Sequence, residues 1–206
     1  MSAYDKNNFV VIRGAVDKKV VDVTYKYFIN KRRVADYFFK NNIKIYSTVW
    51  GSYDDDQAPN TYCVYGDLIM ETHLVMCLPI IEQYTNKKVV PTYSYARLYK
   101  KGDVLIKHKD RFSCEISTTL NLGGDGWAIY IEPDENKKAV EVILQPGDMM
   151  IYKGSLCNHW RDSFQGEICG QVFLHYNNKE TKDAEKNIFD GRSVLGLPIN
   201  FKGERS

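Results

Sequence analysis

Eight short segments rich in β-branched and aromatic residues follow one another between residues 91 and 176, and this run constrains the fold more than any other feature. The segments are 91–100, 104–108, 114–122, 127–132, 140–144, 148–152, 156–160 and 169–176. Turn-forming residues separate them, notably at Gly102-Asp103, 123–126, Pro133-Asp134 and Pro146-Gly147. Short strands at this spacing, without helical periodicity between them, predict a double-sheet jelly roll.

The residues before this run predict supporting helices. Residues 9–13 are typical of a short strand, and Asp17 can cap a helix that runs to about residue 39. A second helix is predicted for 66–83, with a kink or an early end at Pro79. We therefore predict one mainly β (α+β) domain: an N-terminal strand and supporting helices (1–88), a double-stranded β-helix core (89–177) and a C-terminal tail (178–206).

Composition and charge narrow the class of protein. Hydrophobic residues make up 44% of the chain, enough for a core, and 28 basic residues nearly balance 26 acidic ones. This balance argues against nucleic acid as a partner. The five cysteines are scattered without a CxxC motif, which favours a reducing compartment over a disulfide framework. The sequence shows neither a signal peptide nor a long apolar run, so we expect a cytoplasmic protein without a membrane partner.

The triplet His108-Lys109-Asp110 carries the chemistry of the predicted roll. Residues i and i+2 of a strand face the same way, so His108 and Asp110 can point into one cavity while Lys109 points away. Two imidazoles and one carboxylate form the ligand set that holds a non-haem Fe(II) and leaves coordination positions open. The alternative is that the histidines are only hydrogen-bonded strand residues.

A third ligand must come from elsewhere in the roll, and His159 and His175 are the histidines that follow the triplet. His159 comes after the tight turn at Pro146-Gly147-Asp148 and the strand that leaves it. His175 lies at the far end of the last strand, where it fits better as a wall of the cavity or as a residue that contacts a metal ligand. His73 lies among apolar residues of a predicted helix and fits a packing role.

The stretch Tyr99-Lys-Lys-Gly102-Asp-Val-Leu-Ile-Lys-His108-Lys-Asp110 follows the pattern Y-x-x-G-x-x-x-x-x-H-x-D. With the 146–148 turn and His159, it resembles the Fe(II)/2-oxoglutarate-dependent oxygenases, most closely the prolyl 4-hydroxylase-like branch. The resemblance covers 91–176 and implies that His108, Asp110 and His159 hold Fe(II). It also implies 2-oxoglutarate and O2 as co-substrates, succinate and CO2 as products, and ascorbate as a reductant.

The co-substrate anchor is where the chain departs from this family, which places an Arg or Lys on the last strand to pair with the far carboxylate. Here 168–170 reads Ile-Cys-Gly. Arg161, two residues beyond the distal histidine, faces the same cavity if the strand continues. Arg97 shares a face with Tyr99, which matches the family tyrosine that binds the co-substrate, and Gln171 could add an amide donor. The alternative for both arginines is a surface salt bridge.

The resemblance implies a dioxygenase that hydroxylates a C–H bond of a peptidyl residue, such as proline, or of a small amino-acid-like molecule. The intact carboxylate of Asp110 favours hydroxylation, because halogenating relatives lack it. Two alternatives stay open. The same metal centre can demethylate nucleic acid oxidatively, or the roll is a catalytically silent metal-binding recognition module.

Overall fold

The computed structural model describes residues 2–45, 47–134 and 137–200. The helices are Ala3–Asn7 (α1), Lys18–Lys40 (α2), Ser47–Trp50 (α3), Leu68–Met76 (α4) and Leu78–Thr85 (α5). The strands are Phe9–Ile12 (β1), Tyr62–Tyr65 (β2), Val89–Lys100 (β3), Leu105–His108 (β4), Ile116–Gly124 (β5), Ile129–Glu132 (β6), Val140–Val142 (β7), Met149–Lys153 (β8), Asn158–Arg161 (β9) and Ile168–Asn178 (β10). Short 3₁₀ turns lie at Phe112–Cys114 and within Ala184–Gly191.

The strands form two antiparallel sheets. The larger has the order β1-β8-β5-β10-β3-β2, and the smaller has the order β4-β9-β6-β7. This arrangement agrees with the predicted jelly roll, because successive strands from β3 to β10 alternate between the two sheets, except that β6 and β7 pair with each other in the smaller one. In the smaller sheet β4 lies beside β9 and pairs His108 directly with His159.

The helices of the N-terminal region pack on the outer face of the larger sheet. Asp17 caps α2 by accepting a hydrogen bond from the Lys19 amide at 2.8 Å. Val21 and Phe28 of α2 share a buried apolar cluster with Leu120 of β5 and Val172 of β10. The larger sheet is therefore buried on both faces, with apolar side chains toward the helices and the site residues toward the smaller sheet.

Two local features differ from the sequence prediction. The segment 66–83 forms two helices that meet at Cys77, and Pro79 lies in the first turn of the second, where its missing N–H costs no hydrogen bond. The sequence prediction also missed β2, a four-residue edge strand that pairs with β3 from Tyr62 to Tyr65. Its pairing is long-range in the chain, and the segment is too short to show a period.

The tail folds back on the body over its described part. Arg192 is fully buried and pairs with Glu71 of α4, whose carboxylate also accepts from the Gly196 amide. All five cysteines are buried free thiols. None of the helices in the described ranges is long and apolar enough to cross a membrane.

Candidate metal and co-substrate site

The three predicted metal ligands converge at one wall of a cavity. The Oδ1 atom of Asp110 lies 3.4 Å from Nε2 of His108 and 3.6 Å from Nε2 of His159. Strand β4 ends at His108, so strand alternation does not orient Asp110. Instead, the Asp110 amide donates to the carbonyl oxygen of Gly154 at 2.9 Å, which turns the carboxylate toward the histidines.

Both imidazoles direct Nε2 toward Oδ1 of Asp110. Nδ1 of His108 lies 2.7 Å from the Ile106 carbonyl oxygen, and Nδ1 of His159 lies 3.1 Å from that of Cys157. A carbonyl can only accept, so each Nδ1 carries the hydrogen and each Nε2 has a free lone pair. Metal-ligating histidines are held in this way through their second nitrogen.

The electrostatics suit a cation. Burial acts to raise the pKa of Asp110, but its contacts with His108, His159 and Ser117 outweigh it, so this pKa lies below its ordinary value. Burial lowers the pKa of His159 even though Asp110 opposes that shift. Carboxylates ligate a metal in the ionised form and histidines in the neutral form. The donor set therefore fits a divalent cation such as Fe(II).

The cavity beside these ligands has a volume of about 410 Å³. Its other walls include Tyr93, Tyr95 and Phe173. Arg97 and Arg111 also line it, each paired with an aspartate. Lys109, which was expected to point away, also lines the cavity. Further lining residues that the sequence prediction did not name individually as functional include Asp55, Gln57, Cys114 and Tyr152. None belongs to a recognisable motif, because tertiary contacts bring each of them to the cavity.

Arg161 is fully buried on β9, so the surface alternative is wrong for it. Its guanidinium donates to the Trp127 carbonyl oxygen at 2.7 Å and to Oγ1 of Thr119 at 3.4 Å, while Nε has no hydrogen-bond partner. No acidic side chain of the described residues pairs with it. Burial lowers its pKa, since the charged form is poorly solvated there.

Arg97 is also buried, but its charge is compensated. Its guanidinium pairs with Asp55 at 2.6 Å and donates to Gln57 at 2.9 Å and to the Tyr99 hydroxyl at 3.3 Å. Arg97 thus forms a salt bridge, as the alternative interpretation proposed, but the salt bridge lies in the interior and not at the surface. The partner Asp55 lies in the polar loop 51–60 that follows α3.

The other two predicted co-substrate residues lie deeper in the roll. Tyr99 is fully buried and packs edge-on against Trp127, with ring centroids 4.8 Å apart. Gln171 accepts from Thr119 at 3.0 Å and donates to the Cys169 sulfur at 3.2 Å. The cavity lining includes Arg97 but not Tyr99, Arg161 or Gln171.

Comparison with known proteins identifies the fold. No family model and no curated protein matches the sequence. Among solved structures, a Pseudomonas putida prolyl-4-hydroxylase is similar over 85% of this chain and 95% of its own, with a TM-score of 0.63 and 11% identity. A Trichoplax adhaerens prolyl hydroxylase in complex with a hypoxia inducible factor oxygen degradation domain peptide fragment has a TM-score of 0.61 and 13% identity over 86% of both chains.

A third similar structure is HygX from Streptomyces hygroscopicus with nickel and 2-oxoglutarate bound, at a TM-score of 0.56 and 15% identity, over 88% of this chain and 91% of that one. The chain thus has the fold of the 2-oxoglutarate- and Fe(II)-dependent oxygenases, prolyl hydroxylases included. The resemblance drawn from the sequence is confirmed at the level of the fold.

Proposed function

We propose that this protein is an Fe(II)/2-oxoglutarate-dependent dioxygenase that hydroxylates a C–H bond of a peptidyl residue or of a small amino-acid-like molecule. The observation that carries the proposal is the convergence of His108 Nε2, Asp110 Oδ1 and His159 Nε2 at one wall of the cavity. Bound Fe(II) would supply the oxidising chemistry, with 2-oxoglutarate and O2 consumed, succinate and CO2 formed, and one oxygen atom of O2 transferred to the substrate.

Arg161 is our first choice for the anchor of the far carboxylate of 2-oxoglutarate. A buried guanidinium without an acidic partner is costly, and an incoming dicarboxylate would compensate it. Tyr99 and Gln171 would add neutral donors near it. Arg161 does not line the cavity. This assignment therefore requires that the side chains between Arg161 and the cavity move when the co-substrate binds. Arg97 reaches the cavity but already shares its charge with Asp55.

A peptide is our preferred substrate class. The apolar and aromatic wall formed by Tyr93, Tyr95 and Phe173 suits a non-polar side chain such as that of proline. The Trichoplax prolyl hydroxylase of the same fold is in complex with a peptide. The near balance of charges over the whole sequence gives no support to nucleic acid as the substrate.

The test is succinate formation by purified protein with Fe(II), ascorbate and 2-oxoglutarate, with and without a library of proline-containing peptides. We expect peptide-dependent succinate from the wild type. The matched control is His108→Ala, which loses one imidazole but keeps the rest of the cavity. No succinate and no 2-oxoglutarate binding under any of these conditions would refute the proposal and favour the silent module.

A further inference from the structure

The two oxygens of the Asp110 carboxylate have different surroundings. Oδ1 faces Nε2 of His108 and His159, at 3.4 and 3.6 Å. Oδ2 accepts a hydrogen bond of 2.6 Å from the hydroxyl of Ser117 on β5. The hydroxyl occupies a lone pair of Oδ2 and fixes the direction of that oxygen, which favours metal binding through Oδ1 alone.

The direction of this hydrogen bond follows from what surrounds Ser117. The single hydroxyl hydrogen has three acceptors within reach: Asp110 Oδ2 at 2.6 Å, the Cys114 carbonyl oxygen at 3.0 Å and Nδ1 of His175 at 3.0 Å. An ionised carboxylate at the shortest distance is the strongest of these. Ser117 Oγ can then accept from His175, which requires the hydrogen of a neutral His175 to be on Nδ1.

The backbone is fitted closely around this contact. A Cβ on Gly154 would lie 2.3 Å from Ser117 Oγ and 2.6 Å from Asp110 Oδ2, so a side chain there would break the hydrogen bond. The Gly154 carbonyl also accepts from the Asp110 amide at 2.9 Å. Gly154 thus leaves space for the carboxylate and holds its backbone.

A β-bulge brings His175 into the arrangement. The pairing of β10 with β3 shifts register between Leu174 and Tyr176, while the pairing with β5 sets His175 opposite Ser117. Bulges redirect a side chain in this way. The ring of Tyr93 packs on His175 with centroids 4.6 Å apart and holds its orientation.

We propose that Ser117 and His175 are positioning residues that hold Asp110 with Oδ1 alone directed at the metal, through a chain from His175 Nδ1–H to Ser117 Oγ–H to Asp110 Oδ2. This inference rests on the proposed metal site. By keeping the carboxylate on one coordination position, the chain leaves open the positions that the co-substrate and O2 need.

The test is the affinity of the full-length protein for Ni²⁺, measured by calorimetry, together with the visible spectrum of the Co²⁺ form. We expect Ser117→Ala to weaken Ni²⁺ binding about 10- to 100-fold, the usual effect of losing a partner of a metal ligand, and to change the Co²⁺ spectrum. The matched control is Thr118→Val, which removes a hydroxyl as deeply buried on the same strand, one that accepts from the Leu174 amide. It should bind Ni²⁺ like the wild type.

A second pair of variants does not depend on the folding of Ser117→Ala. His175→Asn keeps an N–H donor near the position of Nδ1 and should bind Ni²⁺ nearly as the wild type does, whereas His175→Phe keeps a ring without a donor and should bind it more weakly. Equal Ni²⁺ affinity in Ser117→Ala and the wild type, or equal losses in Ser117→Ala and Thr118→Val, would overturn the inference. So would equal affinities of the two His175 variants.

The proposed function and this inference fail in different ways. A wild type that binds Ni²⁺ through His108 but neither binds 2-oxoglutarate nor forms succinate would refute the oxygenase proposal, and the Ni²⁺ titrations of the variants would still decide the role of Ser117. A wild type that binds no Ni²⁺ would overturn both.

Discussion

The variant Arg161→Met tests the role of Arg161 in co-substrate binding without a large effect on folding. The substitution keeps most of the side-chain volume and removes a guanidinium that is fully buried and pairs with no acidic side chain of the described residues. If Arg161 holds the far carboxylate of 2-oxoglutarate, the variant loses affinity for it. The fold should tolerate the change, since an uncompensated buried charge contributes little to stability.

The substitution should have a large effect on the affinity for 2-oxoglutarate and a small effect on the free energy of unfolding. Hydrogen bonds to charged groups contribute about 1.5–3 kcal/mol, and about 1.4 kcal/mol corresponds to a tenfold change in affinity. We therefore expect the Kd for 2-oxoglutarate to rise roughly 10- to 150-fold. Losing the bond to the Trp127 carbonyl costs about 1–3 kcal/mol, and removal of the buried charge offsets part of it. The free energy of unfolding should fall by less than about 2 kcal/mol.

Arg97→Met is the comparison variant. Arg97 and Asp55 form a buried ion pair, with each side chain 7% exposed. Removing one partner leaves the other charge buried, which costs about 3–5 kcal/mol. Arg97→Met should therefore destabilise the protein much more than Arg161→Met does.

The assay is calorimetric titration of 2-oxoglutarate into the Ni²⁺-loaded protein, with urea unfolding of each variant without ligand. Unchanged 2-oxoglutarate affinity in Arg161→Met would refute the anchor assignment. Loss of that affinity in Arg97→Met, with its stability intact, would mean that Arg97 is the anchor instead.

Three further predictions concern the metal site and the body of the protein. His108→Ala and Asp110→Ala should abolish metal-dependent turnover and Ni²⁺ binding, both read by the assays above, and retained activity would contradict the ligand assignment. Burial lowers the pKa of His73. As the pH falls, the unfolded chain therefore takes up a proton at about pH 6.5, whereas the folded chain takes it up only at lower pH. Urea unfolding should show that the protein loses stability as the pH falls through this range, and that His73→Gln loses less. Arg192→Met should lower the free energy of unfolding by about 3–5 kcal/mol, because it leaves the buried carboxylate of Glu71 unpaired, and an unchanged urea midpoint would show that the tail does not stabilise α4.

The strands of the core and the ligand triplet could be predicted because their signals are local. Alternating β-branched and aromatic residues between turn formers mark β3 to β10 whatever surrounds them, although individual ends move by a few residues. The spacing of His108 and Asp110 placed both at the cavity. The reason given for Asp110 was incomplete, since its bond to Gly154 rather than strand alternation directs it.

The partners of the buried charges could not be predicted. Asp55 lies in a polar loop whose sequence suggests solvation, yet it pairs with Arg97, which is 42 residues away in the chain. Glu71 and Arg192 are 121 residues apart. Such pairs depend on how the loop and the tail fold back over the roll. No periodicity in a single sequence predicts that folding.

By itself, the sequence determined the class of the fold, because strand patterns and turn chemistry are properties of neighbouring residues. Through the family pattern that it resembles, it also indicated the three candidate metal ligands. The tertiary structure alone decided which atoms of those residues meet. It set Nε2 of both histidines toward Oδ1 of Asp110, gave Oδ2 to Ser117, paired Arg97 with Asp55 and left Arg161 without an acidic partner among the described residues. The physical reason is that burial and charge compensation depend on distances between elements remote in the chain.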